Sequence, residues 1–334
     1  MRVGRLIVNL VPLVPLVHLL RLLAAWGVCL AVQAQSYPVK PVRIIIPYPP
    51  GGATDIFARL LAAKFSEAFG QQFVAEQRAG AAGVIGAEMA ARAAPDGYTL
   101  WMGQASNLAI NQHLMKKLPY DPLKDFTPIS LVATSPNLLV VHPSLPVRSM
   151  KDLIALAKPK PGSINYASAS SGSPGHLAAE YLKKVAAIDM VHVPYKGASP
   201  ALLDVIAGQA QLYFTSPIAA QPYVQAGRVR QIAVTSAKRF PPLPQVPTVA
   251  ESGYPDFDLA SWWGLLAPAG VPAAIVSRLH AETLKAVENA DTKARLASQG
   301  VMIVTSTPEQ FATHIRNEIA NWGRIVAASG ARIE

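Results

Sequence analysis

Three stretches of the chain place glycines and small polar residues where an apolar, strand-like run gives way to a helical pattern. "PYPPGGATD" (47–55) sets Tyr48, Pro49, Gly51 and Gly52 ahead of Thr54 and Asp55. "ASASSGSPGH" (167–176) gathers Ser168, Ser170, Ser171 and Ser173 around Gly172 and reaches His176, and "WMGQASN" (101–107) contributes Gly103, Ser106 and Asn107. Glycine lets another group approach the backbone closely. A helix start presents unpaired N–H groups and the positive end of the peptide dipoles. Neutral donors of this kind suit an ionised carboxylate, which only accepts hydrogen bonds. Each stretch also has a purely structural explanation: a glycine pair makes a turn, Ser-Pro caps a helix, Asp55 serves as a cap or buried acceptor, and His176 orients its own loop. Lys196 in "PYKG" either draws an anion or is an exposed turn lysine, and Trp262 and Trp263 either pack or stack on a ligand.

Enzyme signatures are largely missing. The first loop lacks the Gly-Lys-Ser/Thr of a phosphate-binding loop, and "GAAGVIG" (80–86) has the wrong glycine spacing for a dinucleotide fingerprint. No Gly-x-Ser-x-Gly elbow occurs, so the serines at 168–173 have no nucleophile context. His113, His142, His176, His192, His280 and His314 form no short metal-ligand spacing. No catalytic residue, metal or cofactor is therefore expected. A secreted serine hydrolase using a serine from 168–173 is the competing reading from another class, and turnover of an ester or amide would favour it.

The elements that must position these residues alternate. "VRIIIPY" leads into a helix with Phe57, Leu61, Phe65 and Phe69 on one face, ending at Gly70; "QFVAE", a helix from about 84 to 93, and "YTLWMG" follow. Such alternation means α/β units with a parallel sheet. Farther on, Ser173-Pro174, Ser199-Pro200 and Ser216-Pro217 each mark a helix start after the strands "SINYAS", "MVHVPY" and "AQLYFT", with Gly208 and Gly227 closing two of the helices. Thr307 and Gln310 form a capping box for the last helix. Two long apolar stretches, "TPISLVATSPNLLVVHPS" and "FDLASWWGLLAPAG", read as crossings between two α/β domains. The domain boundaries then fall at 36–136 plus 260–334 for a discontinuous first lobe and 137–259 for the second, with a hinged cleft between them.

Residues 1–34 read as a cleavable secretory signal peptide: Arg2 and Arg5 precede an apolar stretch too short to span a bilayer, and small Ala34 precedes the expected cut. Acylation on Cys29 is disfavoured because Trp26, Gly27 and Val28 are not the residues such a site needs. Cys29 is the only cysteine, so the remaining 300 residues would hold no disulfide or cysteine-bound metal. Removing Arg2, Arg5 and Arg21 lowers the formal charge from +10 to +7. The basic residues are scattered without a block or aromatic interleaving, which argues against a nucleic-acid partner. A soluble, monomeric protein outside the cytoplasm is expected.

"YPVKPVRIIIPYPPGGATDIFARLLA", "AGVIGAEMAARAAPDGYTL", "LPYDPLKDFTPISLVA", "INYASASSGSPGHLAAEYL", "VHVPYKGASPALLDVIAGQ" and "PLPQVPTVAESGYPDFD" together resemble the Bug family, the periplasmic solute-binding proteins of tripartite tricarboxylate transporters. The resemblance runs across essentially the whole chain after the leader. It implies a two-lobed periplasmic-binding fold (type II-like) with two crossing strands around a ligand cleft, a small organic carboxylate as ligand, and no catalysis. It also implies membrane permease subunits as partners, or alternatively a sensor kinase. By the same resemblance, the carboxylate is held by backbone amides and waters at Tyr48, Pro49, Gly51, Gly52 and Thr54. Ser170, Ser171, Gly172 and Ser173 contact it from the opposite side, with His176 nearby. Where many members carry an acidic residue after the phenylalanine of "LYFTSP", this chain has Thr215 and Ser216, which favours a second carboxylate or hydroxyl over an amine at the far end of the ligand.

Overall fold

The computed structural model describes residues 37–331, so the expected leader, its cut after Ala34 and Cys29 lie outside the described residues. Strand β1 (Val42–Ile46) is β-branched at four of its five positions and buried everywhere except Arg43, as suits a strand covered on both faces. It feeds α1 (Ala53–Phe69), then β2 (Phe73–Gln77), α2 (Val84–Ala91) and β3 (Thr99–Gln104). β1 pairs parallel with both β2 and β3. Phe57, Leu61 and Phe65 of α1 are fully buried, and Gly70 ends the helix in the left-handed conformation.

After β3 the chain makes a π-helical turn over Ser106–Ile110, then α3 (Asn111–Leu114) and the long strand β4 (Phe126–Pro136). One residue later β5 (Leu138–Val141) begins in the other sheet, followed by α4 (Met150–Ala157). The second lobe continues with β6 (Asn165–Ser168), α5 (Pro174–Ala186), β7 (Val191–Pro194) and α6 (Ala198–Ile206). It closes with β8 (Leu212–Thr215), α7 (Pro217–Gln225) and β9 (Arg230–Val234). Strand β10 (Ala260–Pro268) returns to the first sheet, followed by α8 (Ala273–Glu288), α9 (Ala290–Ser298), β11 (Met302–Ile303) and α10 (Pro308–Ser329).

The two sheets run β11-β4-β10-β3-β1-β2 and β7-β6-β8-β5-β9. Both are mixed, which corrects the expectation of a parallel sheet. The β2-β1-β3 and β7-β6-β8 portions are parallel, whereas β10 is antiparallel to β3 and β4, and β5 is antiparallel to β8 and β9. The reason is the crossing itself: a strand passing between sheets needs no right-handed helical return, so nothing obliges it to run parallel.

Both crossings are pinned at one point. Asn137 N donates to Thr235 Oγ1 (2.8 Å), Thr235 N donates to Asn137 O (3.0 Å), and Thr235 Oγ1 donates to Leu259 O (2.5 Å). α10 fixes the roll of β10. A Cβ on Gly264 would stand 2.1 Å from Phe311 Cζ, and Glu318 Oε2 accepts from the indoles of Trp262 (2.7 Å) and Trp322 (3.0 Å). Successive residues of a strand face opposite ways, so with Trp262 turned to α10, Trp263 is turned to the other face.

Candidate functional site

A cleft of about 610 Å³ is lined from both lobes by Tyr48, Pro49 and residues 52–55, by 173–175 and 213–216, and by Gln104, Asn137, Ala169, Ala198, Ser261 and Trp263. The first-lobe wall is the β1–α1 loop. Its two glycines differ in cause. Gly51 has φ +85, so the backbone favours glycine, and a Cβ there would meet the rotatable Ser199 Oγ at 2.5 Å. Gly52 has φ −84, with only ordinary contact to Ala198 at 3.5 Å, so neither turn geometry nor packing requires glycine there. Gly52 is the residue preceding α1, and no side chain caps that helix. Asp55 Oδ2 accepts from Gly51 N (3.0 Å), while Oδ1 accepts from Arg59 Nε (2.8 Å) and Gln77 Nε2 (3.3 Å), which makes Asp55 the buried acceptor that shapes the loop.

The opposite wall is built from helix starts. Ser173 caps α5, its Oγ accepting from His176 N at 3.3 Å. α6 and α7 begin at Ala198 and Pro217 without a side-chain cap, although Ser216 occupies the capping position of α7. The Ser199-Pro200 helix starts two residues earlier than expected, because Gly197 takes the entry conformation and Ser199 Oγ instead donates to Pro50 O (2.7 Å) across the cleft mouth. Among the described residues no lysine or arginine lines the cleft, and the only formal charge on its wall is the paired Asp55. Any negative charge entering meets the positive ends of α1, α5, α6 and α7.

Behind the second wall lies a histidine pair. The rings of His176 and His192 stack with centroids 4.1 Å apart, and His192 stacks on Tyr166 at 4.9 Å. Gly172 N donates to His176 Nδ1 (3.1 Å), and Ser168 Oγ bonds His192 Nε2 (2.6 Å), so the pair grips the serine loop from beneath. Burial, then His192 and Lys183, pushes His176 down to about 3; burial pushes His192 down to about 4, Glu180 opposing. Both imidazoles are neutral.

The floor comes from the strands that cross or flank the crossing. Trp263 Nε1 donates to Thr54 Oγ1 (3.1 Å) and Gln104 Oε1 (3.0 Å), and Thr54 Oγ1 donates to Gln104 Oε1 (2.9 Å). Tyr213 is pushed up to about 12, chiefly by burial, and stays neutral.

Of the residues singled out in the sequence, Tyr48, Pro49, Gly52, Thr54, Asp55, Ser173, Thr215 and Ser216 line this cleft. Ser106 and Asn107 lie buried in the π-helical turn; Asn107 Oδ1 accepts from Tyr48 Oη (3.2 Å) and its carbonyl accepts from Tyr120 Oη (2.9 Å), so Asn107 buttresses Tyr48. Ser170 lines a neighbouring cavity of about 890 Å³ with Tyr195, Lys196 and 79–83, while Gly172 and His176 are buried behind the wall and Ser171 is half-buried. Lys196 therefore stands at the neighbouring cavity, not in the cleft. Ser168, bonded to a histidine as a nucleophile would be, is fully buried and donates to Ser170 O (3.1 Å). Gln104, Asn137, Tyr213 and Ser261 were not singled out; they sit inside or beside strands, where type and spacing read as ordinary sheet. Among the described residues no group of three or more His, Cys, Asp or Glu is placed to hold a metal, and no helix is long and apolar enough to cross a membrane.

A family model described as "Tripartite tricarboxylate transporter family receptor" matches residues 57–331. The chain belongs to this family. The receptor is 37% identical to Protein BugT of Bordetella pertussis over 315 residues, covering 93% of this chain and 96% of that protein. Among solved structures it is similar to R. palustris Rpa4515 with adipate (38% identity, TM-score 0.87, 89% of this chain and 100% of that one). It is also similar to MatC from Rhodopseudomonas palustris with bound malate (32%, TM-score 0.82, 87% and 100%). These relationships establish a two-lobed solute-binding receptor of the Bug type and set aside the hydrolase reading.

Proposed function

We propose that this receptor captures a small organic carboxylate between its lobes and delivers it, outside the cytoplasm, to membrane permease subunits of a tripartite tricarboxylate-type transporter. The observation that carries the carboxylate reading is the cleft wall: four helix N-termini and, among the described residues, no lysine or arginine. Such a wall holds an anion through backbone N–H groups. Tyr48, Pro49, Gly52, Thr54, Ser173, Thr215 and Ser216 make the contacts in this reading, and Gly51, Asp55, Asn107, Gly172 and His176 hold the loops that carry them. The lobes move as 36–136 plus 260–334 against 137–259, and the bond between Ser199 and Pro50 closes the mouth. The bound adipate and malate of the two relatives, both dicarboxylates, support the ligand class; the family supports the permease partner and the periplasmic location.

A thermal-shift screen against mono- and dicarboxylates, with amines and sugars as controls, tests the reading. A ligand at 100 times its dissociation constant stabilises by about 2.7 kcal/mol, which in a chain of this size raises Tm by about 4 °C. Shifts confined to carboxylates are expected. Shifts with sugars or amines alone would contradict it.

A further inference from the structure

The cleft and the neighbouring cavity are built in series from the same three loops. In the β1–α1 loop, residues 47–49 line the cavity and 48–49 with 52–55 line the cleft. In the serine loop the order is 169–170 and then 173–175, and ahead of α6 it is 195–196 and then Ala198. Tyr48, Pro49 and Ala169 border both spaces. Between the spaces runs a seam where the lobes touch: a Cβ on Gly197 would stand 2.9 Å from Pro49 Cγ, and Ser199 Oγ donates to Pro50 O at 2.7 Å. When the lobes part at this seam, cavity and cleft become one passage.

Lys196 is the one formal charge among the described residues that line the cavity. It is exposed, and among the described residues it has neither a hydrogen-bond nor an ion-pair partner. Two residues of chain span at most about 7 Å, which keeps the Lys196 backbone that close to Ala198, the first residue of α6 and part of the cleft wall. A lone positive charge therefore stands just outside a cleft that holds none of its sign.

Resting on the carboxylate reading above, we propose that the neighbouring cavity is the antechamber in which an incoming carboxylate is collected, and that Lys196 collects it. Lys196 speeds capture and takes no part in holding the ligand once it is in the cleft. The two tasks call for different groups. An exposed, solvated cation adds little to a bound state, but at the mouth of a cleft it raises the local concentration of anions and their rate of entry. Holding falls to the helix N-termini, which bind an anion without a basic side chain. Across about 10 Å of water, one unit charge raises the local density of a monoanion about twofold and of a dianion about fourfold. The Debye length is about 30 Å at 10 mM ionic strength and about 8 Å at 150 mM, so the collecting effect belongs to dilute solution.

The test is stopped-flow mixing at pH 7 with malate and adipate as dianions and butanoate and hexanoate as monoanions. Tryptophan fluorescence reports binding, since Trp263 lines the cleft, and kinetic calorimetry serves for an acid that leaves the fluorescence unchanged. At 10 mM ionic strength Lys196→Gln is expected to lower the association rate constant about fourfold for a dianion and about twofold for a monoanion, and Lys196→Glu to square both factors. At 150 mM the losses of Lys196→Gln should shrink below about twofold. Dissociation rates should stay those of the unaltered protein. Lys285→Gln is the control: it makes the same change of net charge on α8, where Lys285 pairs with Glu282 at 2.7 Å outside both spaces, and it should slow association less. Association that ignores Lys196, that slows no more for dianions than for monoanions, or that slows equally with Lys285→Gln overturns the proposal and leaves the carboxylate reading standing. Faster dissociation that accounts for the lost affinity would make Lys196 a holding residue and overturn it too. If none of the four acids binds the unaltered protein, both fall.

Discussion

Gly175→Ala is expected to destabilise the receptor by about 3 kcal/mol, the upper part of the usual range for forcing extra volume into a packed site, and to weaken ligand binding as well. A Cβ built on Gly175 stands 1.9 Å from Phe214 O and 3.1 Å from Phe214 C. The obstacle is backbone of β8, an interior strand flanked by β6 and β5, so no side chain can rotate away. Either α5 or β8 must shift, and both Gly175 and Phe214 line the cleft. Gly52→Ala is the matched control, because its Cβ makes only ordinary contact at 3.5 Å and its backbone is in a conformation open to any residue. Urea unfolding midpoints of the two variants check the contrast. Equal stability would mean that the close approach of α5 to β8 does not hold in solution.

Acidification from pH 7 to pH 5 is the second large effect. His176 has its folded value pushed down to about 3 by burial, then by His192 and Lys183, whereas an unfolded histidine titrates near 6.5. Between these values the unfolded chain binds the proton and the folded one does not. Stability therefore falls as pH drops through about 6.5 toward 3, and it is unaffected above. At pH 5, 1.5 units below the unfolded value, His176 alone costs about 2 kcal/mol. His192, pushed down to about 4, adds to this in the same direction, though its greater exposure screens the effect. The groups facing the pair are Tyr166, which donates to Glu180, and Lys183, which pairs with Glu180 (3.0 Å) and Asp189 (3.6 Å). Protonating His176 Nδ1 would also break its bond from Gly172 N and loosen the serine loop, so carboxylate affinity should fall in the same window. Denaturant unfolding at pH 7 and 5 measures the difference. A His176→Gln variant should show a smaller loss, and unchanged stability of the unaltered protein would refute the assignment.

The sequence revealed most of the site's periphery and little of its floor. Strand-to-helix transitions carry strong local signals. Gly51 and Gly52 after "VRIII", Ser173-Pro174 and Thr307 with Gln310 were all legible because caps and turns depend on near neighbours, and the structure shows the Ser173 cap, the capping box and the left-handed Gly70. The floor depends on residues far apart in sequence. Trp263 reaches Thr54 from 209 residues away and Gln104 from 159, and which face of β10 it takes is decided by Trp262 against α10. Asn137 looked like one more polar residue near a Ser-Pro. Its significance comes from Thr235, 98 residues later, which bonds both its N–H and its C=O and so pins the crossing. Ser106 and Asn107 show the converse: the strand end was legible, but the π-helical turn buries both side chains beneath Tyr48.

The central claim is that helix N-termini hold the ligand anion without a basic side chain. The most direct measurement is a crystal structure with the carboxylate that gives the largest thermal shift. Carboxylate oxygens are expected at hydrogen-bond distance, about 2.7–3.2 Å, from amide nitrogens of residues 53–55 at the start of α1. A carboxylate paired instead with Lys196 in the neighbouring cavity would contradict it.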